Sequence, residues 1–401
     1  MSLTLSPPFR AEHLGSLLRT KELLDARDSK STGRDQEQHV KEVEDKSIKE
    51  IVDIQLEAGF HGVTDGEYRR NLFWGTFFDG LDGFEEVPFD REILRTYMPN
   101  VGALLQAGYV PGGSLLCTSK IKHSRSTHVD EFNFLKNHLA SKNLPINEIK
   151  LTIPSPASYH QRYKDGKAYA PGVYDSDQEY FADLAKVFQE ELKVLYDAGL
   201  RNVQIDDPTL SYFCSKEMLK GWEEDSSNKR TANELFESYI TFYNDCFSNV
   251  PSDMHIGIHI CRGNFTDSRL VSEGGYDKIA VRLFQDLNVN TFYLEYDTER
   301  AGGFEPLKHL PKNKNLILGV VSTKTTQLED VEELKGRVLA AAKVIAEGSD
   351  QTVEEALKRL GVSPQCGFAS HSHENRLTRD QMVAKLKLVR KVADELWPAE
   401  S

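Results

Sequence analysis

The chain reads HIGIHICRGN over residues 255–264. The short apolar run followed by a glycine-containing turn predicts a buried strand that ends near Cys261. Because alternate residues of a strand point to the same side, His259 and Cys261 should project together from its carboxyl end. An imidazole beside a thiolate is half of a zinc site. The remaining ligands must therefore come from elsewhere in the chain.

Around this strand, helical and strand patterns alternate along most of the chain. Helical spacing of apolar residues covers residues 17–27, 35–58, 129–141, 176–198, 231–247, 276–287, 328–347, 353–360 and 379–396. Short apolar runs predict strands at residues 13–16, 62–67, 150–154, 203–208, 255–260, 291–295, 316–321 and 365–369. About eight strands separated by helices favour a parallel sheet with helical crossovers. Closing this sheet into a (β/α)8 TIM barrel would gather the carboxyl ends of the strands around one mouth.

An open, doubly wound α/β sheet is the competing fold. No Gly-x-Gly-x-x-Gly loop follows a strand, so the sequence gives no support to a dinucleotide site. Residues 73–84 are aromatic and are predicted to be helical, and residues 85–120 lack a clear period, which indicates an insertion. The prediction is one (β/α)8 domain over residues 1–401 with an insertion near residues 85–120.

The composition narrows the choice of partners and compartment. A net charge of -13 argues against nucleic acid or an anionic membrane surface as a partner. No stretch approaches the length of a transmembrane helix, and residues 1–10 lack the apolar run of a signal peptide. The 5 cysteines are widely scattered and odd in number, which is typical of a reducing compartment. We therefore expect a cytoplasmic protein that acts on small molecules; the sequence does not indicate its oligomeric state.

Polar residues stand at the predicted strand ends, where the barrel would place its active face. They are Ser16, Glu67, Asp206, Asp207, His259, Cys261, Glu295 and Cys366. One histidine, two cysteines and a carboxylate form a ligand set suited to zinc, here spaced too widely for a zinc finger. Two thiolates and a carboxylate give such a centre a net negative charge. This charge favours keeping a substrate thiol as a reactive thiolate over ionising water, and Glu295 is the candidate for the ligand that yields to the substrate.

Several of these residues also have purely structural interpretations. Asp207, with Asp206 and Pro208, is typical of a cap on a following helix. Glu67 has Arg69 and Arg70 as possible ion-pair partners. His371 and His373 have strand-like ligand spacing near Cys366, although a polar loop before a helix favours solvated or capping histidines. The other cysteines, Cys117, Cys214 and Cys246, are interpreted as small buried hydrophobes.

The order of these motifs resembles the catalytic barrel of cobalamin-independent methionine synthase and its shorter single-barrel relatives. The resemblance rests on His13-Leu14-Gly15-Ser16, Asp65-Gly66-Glu67 with Arg70-Asn71, Val203-Gln204-Ile205-Asp206-Asp207-Pro208, His259-Ile260-Cys261, Leu294-Glu295, and Ser363-Pro364-Gln365-Cys366-Gly367-Phe368. The family consists of (β/α)8 zinc enzymes that alkylate a thiol, homocysteine in the best-known members. The resemblance therefore implies an S-methyltransferase of methionine biosynthesis with zinc as cofactor.

The resemblance also implies roles for individual residues. His259, Cys261, Glu295 and Cys366 would be the metal ligands. Ser16 would receive the substrate carboxylate, and Glu67 with Asp206 would hold the substrate ammonium. Arg19 is a further candidate anchor for an anion, because it lies close to the Gly15-Ser16 turn.

Two departures from the family pattern concern the methyl donor. Where methionine synthases place a tryptophan against the folate pterin, this chain has Pro154-Ser155-Pro156. Where they place a histidine that assists proton transfer, it has Ser322-Thr323-Lys324. The chain also has no room for the extra N-terminal barrel of full-length members. These departures argue against folate and leave the methyl donor open.

Two alternative functions fit the same residues. One is a zinc-dependent enzyme that joins a thiol to an epoxide, and the other is a non-catalytic barrel that binds zinc or thiols. The acidic pair Glu67 and Asp206 favours an enzyme, since zinc storage has no use for an amino-acid clamp.

Overall fold

The computed structural model describes residues 9–29, 33–70, 75–88, 90–98, 114–263, 272–369 and 377–398. Its strands are β1 (Leu81–Val87), β2 (Ser114–His123), β3 (Leu151–Pro154), β4 (Asn202–Asp207), β5 (His255–Ile260), β6 (Thr291–Glu295), β7 (Asn315–Val321) and β8 (Leu360–Pro364). Strands β3 to β8 form a parallel sheet of 6 strands in chain order. All of their carboxyl ends consequently face the same way.

Two extended segments near Ala11 and Val63 complete the sheet. Ala11 pairs in parallel with Val362 of β8, and Val63 pairs in parallel with Ile149 just before β3. The segments also join each other, because the Leu17 N–H donates to the Gly66 carbonyl at 3.1 Å. The result is a closed TIM-barrel-like α/β fold, as the sequence predicts, with the strand carboxyl ends around one mouth.

Helices cover the outside of this sheet. They are Lys21–Asp28, Arg34–Glu57, Gly75–Phe78, Val129–Ser141, Asp177–Ala198, Lys216–Glu224, Ala232–Phe247, Ala280–Asp286, Val331–Ser349, Val353–Leu357 and Arg379–Leu396. Several begin where the sequence supplies a cap; for example, the Ser176 hydroxyl accepts from the Glu179 N–H at the start of Asp177–Ala198. In the part of the chain that the structure describes, none of the helices has the length and apolar character needed to cross a membrane.

The structure differs from the sequence prediction in several elements. Residues 13–16 and 62–67, predicted as strands, are not strands in the described structure, where single bridges at Ala11 and Val63 take their place. The last strand is β8 at Leu360–Pro364, whereas the sequence favoured residues 365–369. Pro364 ends the strand, so Cys366 follows it in a loop. Within residues 73–84, which were predicted to be helical, the described part holds only the short helix Gly75–Phe78 before β1 begins at Leu81. The helix Lys216–Glu224 went unnoticed in the sequence.

The predicted insertion corresponds to a separate two-stranded ribbon. Strands β1 and β2 pair antiparallel and do not join the parallel sheet. The segment between them, in its described residues, contacts the loop after β3, where the Arg95 N–H donates to the Arg162 carbonyl at 2.8 Å. The ribbon and this segment therefore lie beside the mouth of the barrel.

A fully buried ion pair joins the first barrel segment to β3. The Lys150 ammonium lies 2.6 Å from the Glu12 carboxylate, and neither side chain is exposed. The Tyr293 hydroxyl donates to the other oxygen of Glu12 at 3.3 Å. Because both charges are out of water, each depends on the other for its stability.

Replacing Lys150 by methionine is expected to destabilise the protein by about 3–5 kcal/mol, because Glu12 is left as an unpaired buried charge. Urea unfolding followed by circular dichroism measures the change. The double variant Glu12→Leu with Lys150→Met should recover most of the lost stability. If the double variant is as unstable as Lys150→Met, the loss of stability does not come from the unpaired charge of Glu12.

Candidate metal centre and substrate pocket

Four potential metal ligands meet at the barrel mouth. His259 and Cys261 come from the end of β5, Glu295 ends β6, and Cys366 follows β8. One donor atom from each lies within 4.8 Å of all the others, and all but the half-buried Cys261 are buried. The structure thus brings together the four residues that the sequence proposed as ligands.

The His259 ring is held so that one nitrogen is free to bind a metal. Its Nδ1 lies 3.2 Å from the Tyr293 carbonyl, which fixes Nδ1 as the donor. The buried Nε2 makes no hydrogen bond within the described residues. Because the pKa of His259 is raised, this nitrogen carries a proton, and a metal ion would take the place of that proton and bind the lone pair.

The two thiols of the centre are in hydrogen-bonding contact. Cys261 Sγ lies 3.5 Å from Cys366 Sγ, and the Gly263 N–H donates to Cys261 Sγ at 3.3 Å. The hydrogen bond from Cys261 holds the pKa of the Cys366 thiol well below its usual range, while the pKa of Cys261 is raised. Burial lowers the pKa of His259, but the nearby Cys366 overrides it and raises that pKa to about 9. A divalent cation would relieve this crowding of anionic groups.

Glu295 differs from the other three residues because both of its carboxylate oxygens already accept hydrogen bonds. The Arg262 N–H donates to Oε1 at 2.7 Å, and the Arg300 guanidinium donates to Oε2 at 2.5 Å. Burial raises the pKa of this carboxyl to about 7 even though Arg300 opposes the shift. The donor set as a whole, with one nitrogen, two sulfurs and one oxygen, fits a borderline-soft divalent metal.

Glu67 lies in a strained turn beside this cluster. Its φ of 60° is in the left-handed region, which non-glycine residues rarely adopt. The Thr152 hydroxyl donates to Glu67 Oε1 at 3.0 Å, and Arg70 lies 3.7 Å from the same oxygen. Arg69 instead pairs with Glu44 and with Asp45. The strained backbone therefore holds a buried carboxylate at the mouth, as functional sites often do.

Asp206 is the penultimate residue of β4 and pairs with His259 of β5 in the sheet register. Gln204 Nε2 donates to Asp206 Oδ1 at 2.6 Å. Burial and the nearby charge of Glu67 raise the pKa of Asp206 to about 7. The neighbouring Asp207 is structural, since its Oδ1 caps the turn after β4 by accepting from the Leu210 N–H at 2.7 Å. The capping interpretation therefore holds for Asp207 and not for Asp206.

Ser16 lies against the loop that carries Cys366. The Phe368 N–H donates to the Ser16 carbonyl at 2.8 Å, and a Cβ added at Gly367 would lie 1.8 Å from Ser16 Oγ. Gly15, with φ 99°, makes the turn possible, because a Cβ there would meet Glu67 Oε1 at 2.7 Å. The three predicted substrate residues and the metal cluster therefore share one mouth.

Arg19, the further candidate anchor for an anion, is buried and binds the backbone beside the mouth. Its guanidinium donates to the backbone carbonyls of Glu67, Arg70 and Ala369 at 2.9, 2.8 and 3.1 Å. These bonds hold the turn after Val63 against the loop after β8. His371 and His373 lie outside the described residues, and the cysteines Cys117, Cys214 and Cys246 are buried away from the cluster, within the hydrophobic core.

Sequence reasoning found one of the two arginines that support the site. Arg70, named as a possible ion-pair partner of Glu67, is buried between Glu67 and Glu131, 3.7 and 3.9 Å from their carboxylates. Arg300, which holds Glu295, was missed. Nothing in the local pattern distinguishes Arg300 from a solvated arginine.

Comparison with known proteins shows the family of this barrel. The family model described as "Cobalamin-independent synthase, Catalytic domain" matches residues 171–395. The Bacillus subtilis protein named YxjH is 35% identical over 391 residues, which span 97% of this chain and 95% of the relative. The chain belongs to the cobalamin-independent methionine synthase family.

Other members of the cobalamin-independent methionine synthase family match over most of the chain. The methionine synthase of Sulfolobus acidocaldarius is 25% identical over 329 residues, covering 80% of this chain and 77% of the relative. A crystal structure described as a putative vitamin-B12 independent methionine synthase from Listeria monocytogenes is 30% identical with a TM-score of 0.71, covering 97% and 98% of the two chains. Membership confirms the predicted enzyme class, a methyltransferase, and neither alternative function is favoured.

Proposed function

We propose that this family member transfers a methyl group to homocysteine, forming methionine, with zinc as its metal. The observation that carries the proposal is the cluster of His259, Cys261, Glu295 and Cys366 beside a buried acidic pair. The methionine synthases among its relatives support homocysteine as the thiol. The pattern of two sulfurs, one nitrogen and one oxygen supports zinc.

The four clustered residues would hold the metal, and Ser16, Glu67 and Asp206 would hold the amino-acid part of the substrate. Zinc, when bound, would act as a Lewis acid that lowers the pKa of the substrate thiol. The carboxylates of Glu67 and Asp206 would accept hydrogen bonds from the ammonium group, and the Ser16 hydroxyl would donate to the carboxylate. These contacts would direct the sulfur toward the cluster.

The charge balance of the pocket matches an ammonium group. Glu67, Asp206 and Glu131 are buried carboxylates, and Arg70 is the guanidinium that lies among them. Burial raises the pKa of all three carboxyls despite Arg70, so the substrate-free pocket has an excess of acidic groups that are hard to ionise. A bound ammonium would offset that excess in a site from which water is largely excluded.

The orientation of the thiol supplies most of what these residues contribute to the reaction. Holding the amino acid at two ends fixes the sulfur for attack on the methyl carbon, which replaces a bimolecular encounter by a positioned one. The thiol proton leaves to solvent or to the donor's leaving group. Pro154-Ser155-Pro156 in place of the pterin-binding tryptophan, and Ser322-Thr323-Lys324 in place of the histidine that assists proton transfer, argue against a folate as the donor.

The proposal is tested by metal analysis and a product assay. Protein purified without chelators should contain stoichiometric zinc by elemental analysis. With homocysteine and a panel of donors, namely methyltetrahydrofolates, S-methylmethionine and methylcobalamin, methionine should form with at least one. Zinc-loaded protein that forms methionine with none of them, but joins a thiol to an epoxide, would contradict the proposed reaction.

Replacing Gly367 by alanine is expected to raise KM for homocysteine about tenfold while zinc stays bound. The added Cβ would overlap Ser16 Oγ, at 1.8 Å, and displace the hydroxyl that faces the substrate carboxylate. Steady-state kinetics with zinc analysis measures both quantities. Gly336→Ala is the matched control, because a Cβ there meets nothing within 4 Å. An unchanged KM in Gly367→Ala would remove Ser16 from the substrate site.

A further inference from the structure

Glu295 is bound by a cation that is itself part of a buried network. The Arg300 side chain is 7% exposed and the Asp297 side chain 1%. Arg300 lies 3.3 Å from Asp297 Oδ1 in addition to its short contact with Glu295 Oε2. Arg300 Nε and Asp297 Oδ2 make no hydrogen bond among the described residues. The Arg300 guanidinium therefore has an unused Nε–H donor that could bind the Glu295 carboxylate if that carboxylate turned toward it.

The turn that carries Arg300 is fixed from outside the cluster. Arg337, on the helix Val331–Ser349, donates to the Tyr296 carbonyl and, at 3.2 Å, to the Asp297 carbonyl. The Gly274 N–H donates to the Arg300 carbonyl at 3.0 Å. A guanidinium on an anchored turn can hold a fixed position while the carboxylate beside it moves.

We propose that Arg300 is a positioning residue that receives the Glu295 carboxylate when a substrate thiolate replaces it at the metal. This inference rests on the proposed function, in which a thiol enters the centre. Glu295 would exchange between the metal and Arg300, and the other three ligands would stay in place. Glu295 has a guanidinium donating directly to one of its potential ligand atoms.

Charge explains why such a partner is needed. A thiolate added to two cysteine thiolates and a carboxylate would make the centre more negative, whereas an exchange of thiolate for carboxylate keeps its charge constant. A buried carboxylate released without a partner carries a large desolvation cost. Arg300 removes that cost because the bidentate arginine–carboxylate pair is among the strongest in proteins.

A merely orienting role for Arg300 predicts the opposite effect on metal binding. If Arg300 only presented Glu295 to the metal, its loss would weaken zinc binding. If Arg300 competes with the metal for Glu295, its loss leaves the carboxylate more basic, and Arg300→Met should bind zinc about tenfold more tightly. Homocysteine should then bind the zinc-loaded variant about tenfold more weakly, because the displaced Glu295 carboxylate would have no cationic partner.

The experiment uses the full chain and zinc alone as its first probe. Zinc affinity is measured by competition with a chromogenic chelator for the wild type, Arg300→Met and Arg300→Lys. Lysine keeps the charge without the fork, so its affinity should lie between the other two. Arg337→Gln is the matched control, because it loosens the same turn without contacting Glu295. We expect this control to leave zinc affinity within about twofold of the wild type.

The second probe is homocysteine added to the zinc-loaded proteins, followed by X-ray absorption at the zinc edge. The wild type should gain a sulfur scatterer and lose an oxygen, and Arg300→Met should retain the oxygen. Weaker zinc binding in both Arg300 variants, or the same shift in Arg337→Gln, would overturn the inference and leave the proposed function standing. A wild type that binds no zinc would overturn both.

Discussion

Replacing Cys366 by serine is expected to abolish stoichiometric zinc binding and to lower kcat/KM for methionine formation by a hundredfold or more. Loss of a residue that merely supports a metal ligand costs about 10- to 100-fold in metal affinity, so loss of a ligand should cost at least as much. A serine hydroxyl is a poor replacement, because zinc prefers a thiolate and the hydroxyl stays protonated at neutral pH. Elemental analysis after exhaustive dialysis and steady-state kinetics measure the two effects.

Two comparisons make this expectation specific. Cys261→Ser should behave in the same way, since its sulfur lies 3.5 Å from that of Cys366. Cys246→Ala removes a buried thiol outside the cluster and should keep its zinc. Full zinc occupancy in Cys366→Ser or in Cys261→Ser would show that zinc binds elsewhere in the protein.

Replacing Asp206 by asparagine is expected to lower kcat/KM for homocysteine about a hundredfold without loss of zinc. Removing one carboxylate from a buried contact with an ammonium group costs about 2–5 kcal/mol, because the remaining charge is left without its partner. Glu67→Gln should have a loss of similar size. The effect should fall mainly on KM, which distinguishes a substrate contact from a role in the chemical step.

The pH dependence of ligand binding checks the role of Asp206 independently of the thiol. The pKa of Asp206 is raised to about 7 by burial and by Glu67, so this carboxyl becomes protonated as the pH falls through about 7. L-norleucine, which has an ammonium group and no thiol, should therefore bind the wild type more weakly below that pH. Titration calorimetry should show a smaller pH dependence for Asp206→Asn. An equal pH dependence in both proteins would assign it to another group.

The same carboxyl has the opposite effect on stability. Its pKa is higher in the folded protein than in an unfolded chain, where an aspartate titrates near pH 4. Folding therefore takes up a proton between these values, and stability falls as the pH rises through that window. At a pH of about 8, Asp206→Asn has no such charge to bury and should raise the Tm of the substrate-free protein. Residues that bind substrate here are expected to reduce the stability of the empty barrel.

The sequence predicted which residues would cluster because strand ends at a barrel mouth are easy to place. In β5, the two-residue period puts His259 and Cys261 on one side, and β6 ends at Glu295 as predicted. Cys366 was placed correctly although its strand was not, since the apolar residues around it resemble a strand and only Pro364 marks the true end. The fold tolerates this shift because the loop still faces the mouth.

The supporting residues depend on contacts that no local pattern conveys. Arg19 is next to the Gly15-Ser16 turn in sequence, yet its terminal guanidinium nitrogens donate to backbone carbonyls as far away in the chain as that of Ala369. Arg300 lies on a short turn, Glu299–Ala301, where periodicity gives no information about its direction. Hydrogen bonds between such loops form only when the barrel closes and brings its first and last segments together.

The closure of the barrel also affects the order in which the site forms during synthesis. Arg10 donates to the carbonyl of Leu360, a residue 350 positions later, and Ser16 is held by the loop that follows β8. On the ribosome, where the N-terminal side emerges first, the residues around Ser16 can dock only after Leu360 and Phe368 have been made. We expect arrested chains that end before Leu360 to leave residues 10–16 open to protease and to bind no substrate. The nascent protein thus cannot bind a substrate at this mouth before Leu360 and the loop after β8 have been made.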